Sequence, residues 1–485
     1  MPSQAKKITF DTAAIFAAKV ISLILGLIRL KYIAIYLGVE TFGIYTFATY
    51  FVAMFSIFFD MGLGQILTRD IAADKSKTSE YVSGALHLKL LLFGGTSIII
   101  AGATYFSHFD RLTNWAVIFS IFITGATSLI TVFTGAFQAH RMMKLISVVT
   151  IATDFSTSVA VILLLILGYG LFGLMVGSAL VTFLILALTV YLSKKYLNAV
   201  ILGPSRKLWR YLLREGYPVA IGSLGIVLYF YVTTALLKYM GGNAVAGYYN
   251  AALKLIMILT VIPMSFTQVI YPFFAELHNS DKEKLESVLN ISVRYMFIVS
   301  IPLAVGTILT AKKLIVAIYT VAFLPTIPAL QMLIISTMIS YGNYILFTFF
   351  PAINKQRFAM HVTIPTGIAV AMTNYLLIPK FGLFVPALSL VMVEALLFSA
   401  SFLYLRRLHY TLYLSKVFLK PALSCIPMAI VLYFTMGTSV LLQIPIAVAV
   451  YATTFYLMKG ITEEDKPILT KVLPSPLKEI IVNVR

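Results

Sequence analysis

The chain has 485 residues, 60% hydrophobic and only 11% charged, with a mean hydropathy of +0.95 and a net charge of +19. Soluble domains carry about 25% charged residues, so this composition cannot cover the surface of a soluble chain of that length. A single Cys excludes a disulfide framework and any Cys-based metal cluster. The patterns GxxxxGK[ST], HExxH and CxxC are absent, which argues against a built-in ATPase or zinc hydrolase.

A membrane-spanning helix needs about 20 predominantly apolar residues to cross a hydrocarbon core of about 30 Å. Fourteen stretches meet this requirement, at about 13–36, 44–62, 83–105, 115–138, 146–168, 171–193, 217–239, 248–274, 292–311, 327–350, 359–378, 384–405, 421–437 and 440–458. The first is read as a span and not as a signal peptide: it is too long, carries Lys19 and Arg29, and is followed by no A-x-A site. With these spans, 26 of the 37 Lys and Arg fall on one side and five on the other. The Lys/Arg bias of short loops sets orientation, so both termini are expected in the cytoplasm. The net charge then reflects topology and affinity for anionic headgroups, and nucleic-acid binding is not expected.

Two halves of the chain repeat. Tyr36-x-Gly38 with Gly43-x-Tyr45 returns as Tyr239-x-Gly241 with Gly247-x-Tyr249, one residue inserted. Asp74-Lys75-x-Lys77 returns as Asp281-Lys282-x-Lys284, which sets Lys89 opposite Arg294. Leu165-Ile166-x-x-Tyr169-Gly170-Leu171-Phe172 returns as Leu377-Ile378-x-x-Phe381-Gly382-Leu383-Phe384. The predicted organisation is an N-lobe of six spans (1–193), a basic linker (194–216), a C-lobe of six spans (217–405), two further spans (406–458) and a cytoplasmic tail (459–485). Six is even, so both lobes enter the membrane in the same direction. Such parallel repeats occur in secondary transporters, with the substrate site at the interface between repeats.

The stretch Asn374-Tyr-Leu-Leu-Ile-Pro379-Lys-Phe-Gly382, with Glu394 beyond it, resembles the eleventh and twelfth spans of polysaccharide transporters. These are the Wzx-type flippases of lipid-linked oligosaccharides, within the multidrug/oligosaccharidyl-lipid/polysaccharide exporter superfamily. Asp60-Met-Gly62-Leu63 with Arg69, Gly247-Tyr-Tyr-Asn250-x-Ala252-x-Lys254 and Thr462-x-Glu464-Asp465 fit the same resemblance. Thr233 stands where the family often has Asp, and Pro386-Ala387 where it has a Gly-Ala pair. The resemblance implies an all-α polytopic membrane protein of about 14 helices: two parallel six-helix lobes around a central cavity, plus two C-terminal helices. It implies alternating access across a cell (plasma or inner) membrane. Relatives in the superfamily export drugs or flip the peptidoglycan precursor lipid.

Ionisable groups inside spans need a cavity, a partner or a route to the headgroups. Lys19, Ser22, Gly26 and Arg29 fall on one face of span 1. Arg29 either snorkels outward beside Lys31 or lines the cavity, and the inward continuation of the stripe favours the cavity. Its planar fork suits a phosphate. Lys89 near the start of span 3 is a snorkelling or cavity residue, Arg294 is an interfacial anchor or cavity cation, and Lys254, one turn past the cavity-lining Asn250, is a cavity cation expected to bind the phosphate with Arg29. Among the acids, Asp154 lies in a stripe with Thr150 and Thr157, a candidate for ion coupling or sugar contact, and Glu394 is a candidate for coupling or for an ion pair with a cavity cation. Asp60 is expected to cap its helix or pair with Arg69, and Cys425 to pack.

Six in-span cations against three acids favour an anionic substrate, a polyprenyl-(pyro)phosphate-linked oligosaccharide moved from the cytoplasmic to the outer leaflet. Spans 13 and 14, apolar inside, would admit its tail, as the resemblance suggests. A multidrug antiporter would need acids for cationic drugs. A membrane glycosyltransferase or polymerase would need a carboxylate or His on a large outer loop, which 312–326 lacks. The chain is therefore expected to be no enzyme and to need no cofactor. A proton or sodium ion is the expected coupling partner, and a polymerase or ligase a possible protein partner.

Overall fold

The computed structural model describes residues 2–198, 203–222, 225 and 227–460, and side chains from Ile21 onward with a few further gaps. Among the described residues every regular element is helical. This is what lipid demands of an open chain, because a helix satisfies its backbone groups within one segment. Among the described residues there are sixteen α-helices: α1 (Pro2–Met54), α2 (Ser56–Asp60), α3 (Leu63–Ala73), α4 (Thr78–Phe106), α5 (Arg111–Ala139), α6 (Met143–Ile166), α7 (Gly170–Leu197) and α8 (Arg206–Gly222) come first. After a π-helical turn at Val227–Val232 follow α9 (Thr233–Leu259), α10 (Val261–Ser280), α11 (Lys282–Ile318), α12 (Ile327–Ala352), α13 (Gln356–Phe381), α14 (Phe384–Arg407), α15 (Leu414–Phe434) and α16 (Val440–Leu457).

Twelve helical stretches among the described residues are long and apolar enough to cross a membrane. Two of them, Ile21–Met54 and Val227–His278, are double length. Twelve such stretches stand against the fourteen expected spans, and each of the two long ones joins two helices across a glycine kink. Inside α1 the reversal falls at Gly38 (φ 67°, ψ 179°), and inside α9 at Gly242 (φ 83°, ψ −180°). Positive φ with extended ψ is a conformation that only glycine adopts cheaply. Gly38 and Gly242 share one offset with Gly43/Gly247 and Tyr45/Tyr249. The residue inserted in the sequence alignment is therefore unnecessary: Gly242, not Gly241, is the partner of Gly38.

The second repeat marker also has a structural cause. The Asp74 carboxylate accepts from Ser76 N at 3.1 Å, and the Asp281 carboxylate from Lys284 N at 3.0 Å. Each Asp also pairs with the Lys three residues on, Lys77 at 3.6 Å and Lys284 at 3.0 Å. Both carboxylates are held below their ordinary range, Asp74 chiefly by the Ser76 hydroxyl, which donates to it at 2.6 Å, and Asp281 chiefly by the Lys284 N–H. Counting onward from these caps without a gap sets His87, not Lys89, opposite Arg294.

The chain divides into two compact units, Met1–Asn250 with Ile318–Ala322, and Ala251–Ala317 with Phe323–Arg485. In the first, α6 packs against α1 and α7, and α5 against α3 and α4. Its core contains Leu63, Leu67, Ile71, Phe133, Phe137 and Leu212. In the second, α12 packs against α10 and α14 around Phe274, Phe297, Tyr341, Phe349 and Tyr410. The two extra C-terminal helices join this unit: Tyr451 OH donates to Ile298 O at 2.8 Å, and Lys313 Nζ to Gln443 Oε1 at 3.0 Å.

We infer from the Lys/Arg bias that the side carrying α8 is cytoplasmic. In a Cys425→Ala background, Ser107→Cys should react with an impermeant maleimide in intact cells, and Pro204→Cys only after permeabilisation. The reverse pattern would invert the topology.

Candidate functional site

The polar stripe of α1 lies against α6. Arg29 is half-buried, and its Nη1 donates to Ser158 Oγ at 3.4 Å; Ser158 in turn donates to Leu25 O at 3.4 Å. A guanidinium carries five N–H donors, and among the described residues this long bond is the one hydrogen bond it makes. Among the described residues Arg29 makes no salt bridge. Beside it, Ser22 Oγ is buried without a hydrogen-bond partner, and a Cβ added at Gly26 would meet nothing within 4 Å. The stripe is open and polar. The side chain of Lys19 lies outside the described residues.

Asp154 sits one turn before Ser158 on α6, half-buried, with no hydrogen bond or salt bridge among the described residues. Its neighbours Thr150 and Thr153 spend their hydroxyl protons on their own helix, donating to Ile146 O at 2.9 Å and Val149 O at 2.7 Å. Back-bonding of this kind is the usual fate of Thr in membrane helices, and it leaves the hydroxyl lone pairs available as acceptors or ligands. Thr157 is half-buried on the same helix. Ser158 thus ties Arg29 of α1 to the helix that carries Asp154, a connection that periodicity within either span does not reveal.

Lys89 has a different environment. It is 1% exposed, and its ammonium donates to Asp60 Oδ1 at 2.5 Å, Thr131 Oγ1 at 2.7 Å and Ser128 O at 2.9 Å. All three N–H donors are taken. Asp60 therefore pairs with Lys89 and not with Arg69, because α2 ends there and Met61 (φ 48°) and Gly62 (φ 70°) turn the chain into α3. Arg69 bonds instead to Asp70 at 2.7 Å and Glu215 at 3.1 Å.

Asn250 is fully buried; its amide donates to Thr46 Oγ1 at 3.2 Å and its carbonyl accepts from Thr234 at 2.9 Å. Thr46 and Asn250 are repeat mates at the same offset as Gly43 and Gly247. Lys254 is half-buried one turn further along α9. On α11, Arg294 is half-buried and lines a cleft of about 370 Å³ with Glu283, Glu286, Asn290 and Tyr413. Glu394, half-buried on α14, accepts from Asn343 Nδ2 at 2.7 Å and has no cation within salt-bridge distance among the described residues.

One cluster escaped the sequence reading. Lys238, at the end of the seventh expected span, has a side chain only 9% exposed. Its Nζ donates to Thr113 Oγ1 at 2.7 Å and lies 3.9 Å from Asp110, 4.2 Å from the Phe47 ring centroid and 5.0 Å from that of Phe109. Asp110 is also the N-cap of α5, accepting from Thr113 N at 3.0 Å. Burial acts to raise the Asp110 carboxyl, but the two Thr113 hydrogen bonds and the lysine outweigh it and hold it low. The available signal was Phe-Asp beside a helix start, which has meaning only once its distant lysine is known.

Helices of this length and apolarity define a polytopic membrane protein. The family model of polysaccharide biosynthesis proteins matches residues 8–278, and that of the lipid II flippase MurJ matches 210–460. The chain belongs to this flippase family, within the multidrug/oligosaccharidyl-lipid/polysaccharide exporter superfamily. Its fold is similar to lipid II flippase MurJ in an inward closed conformation, with a TM-score of 0.72 at 15% identity over 93% of this chain and 98% of that one. A multidrug resistance MATE family transporter in an inward-facing conformation is similar at a TM-score of 0.66 and 16% identity, over 80% and 93% of the two chains. An uncharacterized membrane protein of Methanocaldococcus jannaschii is 30% identical over 192 residues, which is 39% of this chain and 37% of that relative.

Proposed function

We propose that the chain flips a polyprenyl-linked oligosaccharide whose (pyro)phosphate is met by Arg29. The observation that carries this reading is the Arg29 guanidinium, half-buried in a span beside open space, with a single long hydrogen bond. A group so placed needs an anion or water to satisfy its donors. The matching families, named for polysaccharide biosynthesis and lipid II flipping, support an isoprenoid phosphate substrate. Lys254 is the second proposed phosphate contact. Asp154, unpaired beside Ser158, is the proposed site of proton or sodium coupling, and Glu394 stays the alternative.

Proteoliposomes containing a lipid-linked oligosaccharide and an imposed gradient test both roles. A charge-assisted hydrogen bond contributes about 1.5–3 kcal/mol, so Arg29→Ala should slow flipping by about tenfold or more without lowering the melting temperature. Asp154→Asn should bind substrate but lose the response to the gradient. Wild-type flipping by Arg29→Ala would refute the phosphate contact; a wild-type gradient response in Asp154→Asn would move coupling elsewhere. In cells, deletion of the gene should leave a lipid-linked sugar on the inner leaflet.

A further inference from the structure

The helix between the two repeats, α8, has two unlike faces. At about 100° per residue, Arg206, Lys207, Arg210 and Arg214 fall within an arc of about 100°, and all four are exposed. The opposite face is buried through Leu208 and Leu212, at 8% and 0% exposure. That face is also pinned by polar bonds: Trp209 Nε1 donates to Gly84 O at 3.0 Å, and Tyr211 OH to Asp70 at 3.0 Å. Glu215 accepts from both terminal nitrogens of Arg69 at 3.1 Å. Gly216 lies so close to the Met61 carbonyl that any Cβ would overlap it. The helix thus lies on the first unit, tied to α4 and to the Met61–Gly62 break, with four cations turned away from protein. Of the four, none is within salt-bridge distance of a carboxylate among the described residues.

We propose that this face is a docking surface for the anionic phospholipid headgroups of the leaflet it lies on, and that their binding stabilises the first unit through α8. Charge complementarity selects the occupant. Four cations on one helical face, with Tyr217 exposed beside them, match a surface of phosphodiester groups and not a neutral or cationic partner. The helix has no apolar face left for another protein, because Leu208 and Leu212 are already covered. Binding energy reaches the core through Trp209 and Gly216, so a lipid bound only to the folded state raises its stability. The inference rests on the membrane topology and not on the substrate of the transporter.

The test uses the full chain in phosphatidylcholine micelles titrated with phosphatidylglycerol, with the melting temperature as readout and no flippase substrate present. Each basic residue near such a surface contributes about fivefold in apparent affinity. Neutralising all four (Arg206→Gln, Lys207→Gln, Arg210→Gln, Arg214→Gln) should move the midpoint of the titration by more than about tenfold. High salt should weaken the wild-type response. A control neutralising Lys75, Arg141, Lys194 and Lys195, exposed but not aligned on one helical face, should shift it by less than the α8 variant. If the fourfold variant does not fold, Arg206→Gln and Arg210→Gln singly should each shift the midpoint about fivefold. A wild-type titration in these variants, or an equal shift in the control, overturns the proposal. So does a response to polyprenyl phosphate with none to phosphatidylglycerol, which would make α8 a substrate-collecting helix. Failure of flipping assays leaves this measurement unaffected, and failure here leaves the flippase reading standing.

Discussion

Asp60→Ala should destabilise the protein by about 3–5 kcal/mol, more than Lys89→Met, although Asp60 is the exposed partner of the pair. Removing one member of a buried ion pair costs this much when the other stays behind uncompensated. Lys89 is 1% exposed and Asp60 42% exposed. Without Asp60 the ammonium keeps only Ser128 O and Thr131 Oγ1 and loses its counter-charge. Without Lys89, water reaches the carboxylate, and the loss should stay near 1–3 kcal/mol, about that of an unsatisfied polar group. The double variant Asp60→Asn with Lys89→Met should recover most of the stability, since it leaves no orphaned charge. Thermal unfolding in detergent checks the order. Equal losses for the two single variants would mean that water already reaches the lysine.

Gly247→Leu should abolish flipping and expose Thr46 to labelling from outside. Segments 39–46 and 243–250 cross so closely that a Cβ at Gly247 would lie 2.6 Å from Val39 O and 3.3 Å from Gly43 Cα. The repeat-related clash holds as well: a Cβ at Gly43 would overlap Asn243 O and stand 3.2 Å from Gly247 N. These obstacles are backbone atoms, which no rotamer change can move aside. Overpacking by even a methylene costs about 1–3 kcal/mol, and an isobutyl group must part the helices. The same crossing carries Asn250 Nδ2 to Thr46 Oγ1, so separation also breaks a buried hydrogen bond. Thr46→Cys in a Cys425→Ala background should be unreactive to an impermeant maleimide, and reactive once Gly247→Leu is added. Continued protection would show that the crossing tolerates bulk.

The mutual contact of Gly43 and Gly247 explains why glycine recurs at the repeat offset. In the sequence it is visible only as a matching letter. Its register needed the backbone: the insertion between Gly38 and Gly43 disappears once Gly242 is seen at positive φ. Lys89 shows the opposite case. Its depth in span 3 suggested snorkelling or a cavity, yet its partners lie 29, 39 and 42 residues away, on α2 and α5. No periodicity within one span encodes such a pairing. Arg29 was legible as a membrane cation on a polar stripe, but not its meeting with Ser158 on α6.

The sequence by itself determined the membrane class and the helical character of the spans. Lipid cannot satisfy backbone groups, so each crossing must be written as an unbroken apolar run, and the repeat is copied along the chain with its caps. Tertiary structure alone decided which charges are spent and which are spare. Lys89 and Lys238 are consumed by oxygen and aromatic partners, while Arg29, Asp154 and the basic face of α8 keep unused capacity. That difference arises from contacts between helices far apart in the chain, where a few ångströms separate a neutralised charge from one left to act.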